Sequence, residues 1–137
     1  MLKSKTLATW LALVGGSFGL DRAYLRGNLR DIGLWLHVVC TAVGAIGVRR
    51  VQTLGVDDGL AWVLIPIGGL SISWAMIGAI RNGLTTDEHW NQRHNPGRVE
   101  APVSGWANVI GVGLALLIGA VVLMSSITVA LQHYFEA

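Results

Sequence analysis

The polar residues best suited to chemistry lie in a short segment between two apolar runs. Asp21, Arg22 and Tyr24 directly follow an apolar stretch that ends at Leu20. A carboxylate and a guanidinium at the end of a membrane helix are expected to pair with each other or to cap free backbone groups. The segment therefore has two interpretations, and the functional one is a polar docking or gating point. The simpler alternative is an ion pair that only fastens two helices together and fixes their depth.

Two further polar residues lie inside apolar runs. His37 is the ionisable residue of the second run, and Asn108 lies near the start of the fourth. A proton relay would need a carboxylate or a second histidine at the depth of His37, and the four runs contain neither. We therefore expect a neutral, hydrogen-bonded histidine and an asparagine bonded to a neighbouring backbone carbonyl.

The sequence contains no pattern typical of catalysis, a metal site or a cofactor. Asp87, His89 and His94 come nearest to a metal-ligand set, but Asp87 and His89 would lie about 200° apart on a helix and could not share one ion. Phosphate loops, zinc-protease helices and Ser/His/Asp sets are absent from the sequence. We predict a non-enzymatic protein without metal or cofactor, and a net charge of +2 gives no reason to expect nucleic acid.

The elements that must position these residues are membrane helices. Of the 137 residues, 53% are hydrophobic and 13% are charged, which is about half the charge of a soluble domain. A helix needs about 20 apolar residues to cross a bilayer. Four apolar runs are present, at residues 6–20, 32–48, 59–80 and 103–131. We predict an all-α integral membrane protein with four transmembrane helices.

The two short runs predict an N-terminal hairpin domain over residues 1–50, with a turn over residues 21–31 and Asp31 as the N-cap of the second helix. Residues 51–137 form a second helix pair joined by a polar loop, residues 81–102. Thr85 and Glu88 in that loop fit a capping box, so we expect a short helix over residues 87–93. Its Trp90 should dip into the lipid headgroups.

Small residues mark the helix faces that should pack closely. The first run ends with Gly15 and Gly19, and the fourth carries Gly111, Ala115 and Gly119 at four-residue spacing. In lipid, helices associate where small residues let their backbones approach. The pattern fits contacts within one chain or between copies. Membrane lipid, a second copy and another membrane protein all stay open as partners.

The basic residues predict an orientation. With four spans, the turn over residues 21–31 and the loop over residues 81–102 share a face with six arginines. The opposite face holds both termini and four basic residues: Lys3, Lys5, Arg49 and Arg50. By the positive-inside rule, the turn and the loop are cytoplasmic.

The first part of the chain resembles the TM-two domain family, whose members have two short membrane helices joined by a turn that reads Gly-x-Asp-Arg-Phe-Tyr-Leu-Gly. The matching residues are Gly19, Asp21, Arg22, Tyr24 and Leu25. Two positions depart from the pattern, because Ala23 replaces the phenylalanine and Arg26 precedes Gly27. The resemblance covers the first 50 residues or so. It implies a hairpin domain in a bacterial inner-membrane protein of unknown biochemical role, and no reaction.

These observations predict a multi-pass protein of the bacterial inner membrane that acts through protein or lipid contacts. The alternative is an oligomeric small channel or transporter with the polar faces of the third and fourth helices turned inward. Transport sites usually show charged residues or broken helices inside the membrane. The four runs offer only His37 and a proline, Pro66, in this respect, which favours contact over transport.

Overall fold

The computed structural model describes residues 1–100 and 102–136, and the regular elements of these residues are all helical. The prediction of an all-α fold is therefore confirmed. Three helices, α3, α4 and α6, are long and apolar enough to cross a membrane. The elements in chain order are α1 (Lys5–Gly15), a 3₁₀ turn (Gly16–Phe18), α2 (Leu20–Arg26), α3 (Ile32–Leu54), α4 (Ala61–Leu84), α5 (Asp87–His94) and α6 (Trp106–Glu136).

The first apolar run does not form the single spanning helix predicted for residues 6–20. Helix α1 has 11 residues, which rise about 16 Å and cover about half of the hydrocarbon core. Gly19 ends the 3₁₀ turn with a left-handed φ of 73°, a conformation that glycine adopts readily. A side chain at Gly19 would also collide with Leu34 of α3. Of the four predicted spans, the structure therefore supports three.

Helix α2 returns beside α1 to the N-terminal side of the molecule. The Ser4 N–H donates to the Tyr24 hydroxyl at 2.9 Å, which joins the two open ends of the helix pair. At the closed end, the Thr41 hydroxyl of α3 donates to the Ser17 carbonyl at 2.7 Å. The chain therefore reverses over residues 16–19, and the first half of the predicted turn is helix α2. From here on, the N-terminal hairpin means α1, the 3₁₀ turn and α2, and not the predicted hairpin domain of residues 1–50.

The three long helices extend beyond the predicted runs. Asp31 caps α3 as predicted, because its carboxylate accepts from the Gly33 N–H at 2.8 Å. At the far end of α3, Arg50 bonds Asp58 in the next loop at 2.6 and 3.0 Å. The last turns of α6 reach the same end, since a Cβ atom at Gly59 would lie 3.9 Å from the His133 ring.

The core is built from small residues on three helices, as close packing in lipid requires. Helices α4 and α6 pack against each other and α1 packs against both, so the core joins residues from both halves of the chain. Helix α3 packs against α4 where two glycines face each other, and a Cβ atom on either Gly44 or Gly68 would lie 2.5 or 2.6 Å from the other's Cα. The buried core residues are Ala12, Ala75, Met76, Ala79 and Ala115.

Candidate functional site

The loop helix α5 is docked against the N-terminal segment of the chain. Trp90 is only 3% exposed, and its indole N–H donates to the Lys3 carbonyl at 2.9 Å. Asn95 accepts from the Lys3 N–H at 2.7 Å and donates to the Lys3 carbonyl at 3.0 Å. The expectation that Trp90 dips into the headgroups is therefore wrong. The helix begins at Asp87, as predicted, but its N-cap is Thr86 and not Thr85, because the Thr86 hydroxyl accepts from the His89 N–H at 3.3 Å.

A buried ion pair holds the start of α5. The Lys5 ammonium is 2.7 Å from the Asp87 carboxylate and donates to the Thr85 carbonyl at 2.7 Å. The Lys5 side chain is 7% exposed and the Asp87 side chain is 30% exposed, so water reaches this pair mainly from the side of Asp87. The hydrogen bond from Lys5 holds the pKa of Asp87 below its ordinary value of 3.8, with a further contribution from Ser104. Asp87 therefore stays charged near neutral pH.

Beneath α5 lies a cleft of about 460 Å³, which we call the basic cleft. One wall is helix α2 and the other is the last three turns of α4, and α5 covers the outer end. Its charged lining consists of four arginines and Asp21, which is the one acidic residue among the described lining residues. The cationic or titratable members are Arg22, Arg26, Arg81, Arg93, His37, His89 and His94. A cleft with this lining attracts anions.

The structure brings Asp21 and Arg22 to this cleft but does not pair them with each other. Arg22 lies 3.9 Å from Asp31, and Arg26 lies 2.7 Å from the same carboxylate. The Gly33 N–H, together with Arg26 and Arg22, holds the pKa of Asp31 below 3.8. Among the described residues Asp21 forms no ion pair, and its carboxylate faces Gly78 of α4.

Tyr24 has a structural role in the described residues. Its hydroxyl accepts the Ser4 N–H and ties α2 to the start of α1, and it does not line the basic cleft. Of the three residues of the predicted docking point, two therefore lie at the cleft and the third fastens the N-terminal hairpin.

The two predicted intramembrane polar residues are buried and hydrogen-bonded. His37 lies at the inner part of the cleft, with its Nδ1 atom 3.0 Å from the Ser71 hydroxyl. Asn108 donates to the Gly83 carbonyl at 2.8 Å and accepts from the Thr9 hydroxyl at 3.0 Å. The backbone bond predicted for Asn108 is confirmed. The contact of His37 joins α3 to α4. The two contacts of Asn108 join α6 to α4 and to α1.

The predicted packing residues contact neighbouring helices of the same chain. A Cβ atom at Gly111 would lie 3.2 Å from Thr9 of α1, and one at Gly119 would lie 2.9 Å from Met76 of α4. Ala115 is fully buried in the core. Gly15 and Gly19 make room for Leu20 and Leu34 at the reversal of the hairpin. These faces are therefore occupied within one chain.

Several cleft residues escaped the sequence analysis. Arg81 and Asn82 lie in the last turns of α4, and Arg93 and His94 end α5. Burial lowers the pKa of His94 below 6.5, and Arg93 and Lys3 add to the shift. The sequence feature that could have identified Arg81 and Asn82 is their position directly after an apolar run, where basic residues commonly contact lipid phosphates.

Comparison of this chain with protein-family models, with curated proteins and with solved structures finds no match. The resemblance to the TM-two domain family therefore stays a prediction from the residues that carry it.

Proposed function

We propose that this chain is a multi-pass membrane protein without enzymatic activity, which acts through contact with anionic lipid at one strongly basic face. In this proposal α3, α4 and α6 cross the bilayer, and the N-terminal hairpin enters and leaves on the same side. The observation that carries the proposal is the return of α2 to the side of the N-terminus, where Ser4 meets Tyr24.

This return changes the distribution of charge between the two faces. The end of the molecule that carries the N-terminus, the turn before α3 and helix α5 is the basic face. Residues near the opposite end include only Arg49 and Arg50 among the basic residues. The basic face holds eight of the ten lysines and arginines, which are Lys3, Lys5, Arg22, Arg26, Arg30, Arg81, Arg93 and Arg98.

A ratio of eight to two supports a cytoplasmic basic face much more strongly than the six to four of a four-span arrangement. In the four-span arrangement, Lys3 and Lys5 lie on the face opposite the turn and the loop. In the proposed arrangement, they lie on the same face as the turn and the loop. The resemblance to TM-two domain proteins supports the bacterial inner membrane as the location. Each basic residue near the membrane contributes about 1 kcal/mol to the attraction between such a surface and anionic lipids.

Labelling of single cysteines by an impermeant maleimide in intact bacterial cells tests this topology. In a Cys40→Ala background, we expect Asp57→Cys to be labelled, and Leu2→Cys, Asn28→Cys and Asn91→Cys to react only after permeabilisation. Leu2→Cys is the decisive variant. If it reacts in intact cells together with Asp57→Cys, α1 crosses the membrane and the four-span arrangement is correct.

A second candidate function is an oligomeric small channel or transporter. One observation favours it, since Asp21 and His37 line the same cleft and intramembrane ionisable residues often mark ion pathways. Liposome flux measurements decide between the two functions. Ion or proton flux above that of empty vesicles, lost in His37→Gln, would support transport, whereas flux equal to that of empty vesicles supports the contact role.

A further inference from the structure

The basic cleft holds more positive charge than the fold itself uses. Arg22 and Arg26 share the carboxylate of Asp31. Arg81 and Arg93 form no ion pair with any acidic residue that the structure describes. Two guanidinium groups therefore face the cleft with their charge uncompensated by the protein, and a guanidinium presents paired donors that suit phosphate oxygens.

A buried side chain in the same cleft lacks a hydrogen-bond partner. Asn82 lines the cleft and is 6% exposed. Its amide nitrogen is enclosed and meets no acceptor among the described residues. Buried polar groups in native proteins are nearly always satisfied, and leaving one unpaired costs free energy that a bound acceptor would recover. The missing partner of Asn82 is therefore an acceptor, and an anionic oxygen in the cleft would supply one once the amide turns its nitrogen toward the cleft.

The inner part of the cleft has an apolar wall that faces the lipid. Trp74 and Ile77 of α4 line the cleft and are 61% and 52% exposed. In a bilayer these exposed side chains are covered by acyl chains, so the cleft is open to a molecule that already lies in the membrane. A ligand with a charged head and an apolar body fits both parts of the lining, which a free phosphate ion does not.

We propose that the basic cleft binds the phosphate headgroup of an anionic glycerophospholipid from the leaflet at the basic face. Arg81 and Arg93 contact the phosphate oxygens, Asn82 donates to one of them, and the acyl chains lie along Trp74 and Ile77. Asp21 accepts a hydrogen bond from a headgroup hydroxyl, which makes phosphatidylglycerol the suitable probe. The proposal rests on the proposed function, because it needs the cleft to lie at the depth of a headgroup.

Native mass spectrometry of the full chain in a neutral detergent, with phosphatidylglycerol added in steps, tests the site. We expect Arg81→Gln to weaken binding about fivefold to tenfold. Arg49→Gln is the matched control, because it removes the same charge at the opposite face, and it should change binding less than about twofold. Phosphatidylcholine should bind more weakly to the unchanged protein than phosphatidylglycerol does.

Asn82→Leu separates binding from folding. It removes an unpaired amide, so without lipid the melting temperature should stay the same or rise. The rise in melting temperature on adding phosphatidylglycerol should shrink. A lower melting temperature without lipid and an unchanged rise with lipid would mean that Asn82 is only structural, and would overturn its part in the site.

Three other outcomes would overturn the proposal. Arg49→Gln could weaken binding as much as Arg81→Gln, which would indicate attraction to the charged surface in general. Phosphatidylcholine could bind as well as phosphatidylglycerol. Millimolar inorganic phosphate could displace the lipid and stabilise the lipid-free protein, which would make the ligand a soluble anion. The cysteine labelling is independent of all three, so a wrong topology and a wrong site give different results.

Discussion

Each end of the molecule is held together by an ion pair and by a hydrogen bond from a tryptophan indole, but the two ends differ in which segments these contacts join. At the basic face, Lys5 pairs with Asp87 and the Trp90 indole donates to the Lys3 carbonyl. At the opposite end, Arg50 pairs with Asp58 and the Trp62 indole donates to the Val56 carbonyl. The first set joins segments more than 80 residues apart along the chain, and the second joins a loop to its neighbouring helices.

Each end carries a cleft, and the one at the opposite end has a volume of about 520 Å³ but no lysine or arginine among the described residues that line it. The difference in contacts explains why only the cleft at the basic face is rich in arginine. The local contacts at the far end use the charge of Arg50 within the fold and only tie down the loop between α3 and α4. The long-range contacts at the basic face hold α5 over the end of α4, and the space beneath it keeps its arginines for a ligand. The stability of the cleft should therefore depend on the buried side chains of Lys5 and Trp90, whereas that of the far loop depends on the partly exposed side chains of Arg50 and Trp62.

The largest difference between the two ends is expected for their tryptophans. Trp90→Ala removes a side chain that is almost fully buried and should lower the free energy of opening of α5 by about 3–5 kcal/mol. Trp62→Ala is the matched control, and its loss should be less than half as large because Trp62 is only half-buried. Hydrogen–deuterium exchange of α5 and of the loop over residues 55–60 measures both. Equal losses would contradict the comparison.

Breaking the ion pair at the basic face should also cost more free energy of unfolding than breaking the one at the opposite end, but the difference should be smaller than for the tryptophans. Lys5→Met leaves the Asp87 carboxylate without its buried partner and should cost about 2–4 kcal/mol. Arg50→Met should cost about 1 kcal/mol or less, because a third of the Arg50 side chain is exposed to solvent. Chemical unfolding in detergent micelles measures both losses. The double change of Lys5→Met with Asp87→Asn should recover part of the first loss, and no recovery would mean that Lys5 acts by packing alone.

Acid should weaken both ends through their carboxylates, with the smallest effects. The pKa of Asp87 is lowered chiefly by Lys5, and the pKa of Asp58 chiefly by Arg50. A carboxyl group with a lowered pKa in the folded state contributes stability above its unfolded value of 3.8, and this contribution is lost as the pH falls from there through the folded value. Exchange protection of α5 should therefore fall below pH 3.8.

Two variants check the assignment of this pH dependence. Asp87→Asn should remove the acid dependence of α5 and leave that of the loop over residues 55–60, and Asp58→Asn should do the reverse. If α5 keeps its acid dependence in Asp87→Asn, another carboxyl group is responsible for it.

The sequence predicted much of what is local. Asp31 as the cap of α3, the short helix after Thr86 and the backbone bond of Asn108 follow from residue type and spacing. These features depend on neighbours a few residues away, or on the general need of a buried amide for a partner. The cleft was predicted only in part, through Asp21 and Arg22, because its other wall comes from residues far along the chain.

The first apolar run shows where prediction from the sequence stopped. Its hydropathy is as compatible with a short span as with a hairpin that reverses inside the membrane. The reversal depends on Gly19 lying against Leu34 and on the bond between Thr41 and Ser17. These contacts come from α3, and no periodicity within the run encodes them.

The sequence by itself determined an all-α fold, helices long and apolar enough for a bilayer, and the polar residues that end them, although it predicted four such helices and the structure supports three. Those properties follow from hydrophobicity and length, which the run of residues carries directly. The tertiary structure alone decided that α2 returns to the N-terminal side and that Trp90 is buried. It also decided that Arg81 and Asn82 share a cleft with Arg22. Each of these depends on contacts between segments remote in the chain, whose free energy exists only once the helices have packed.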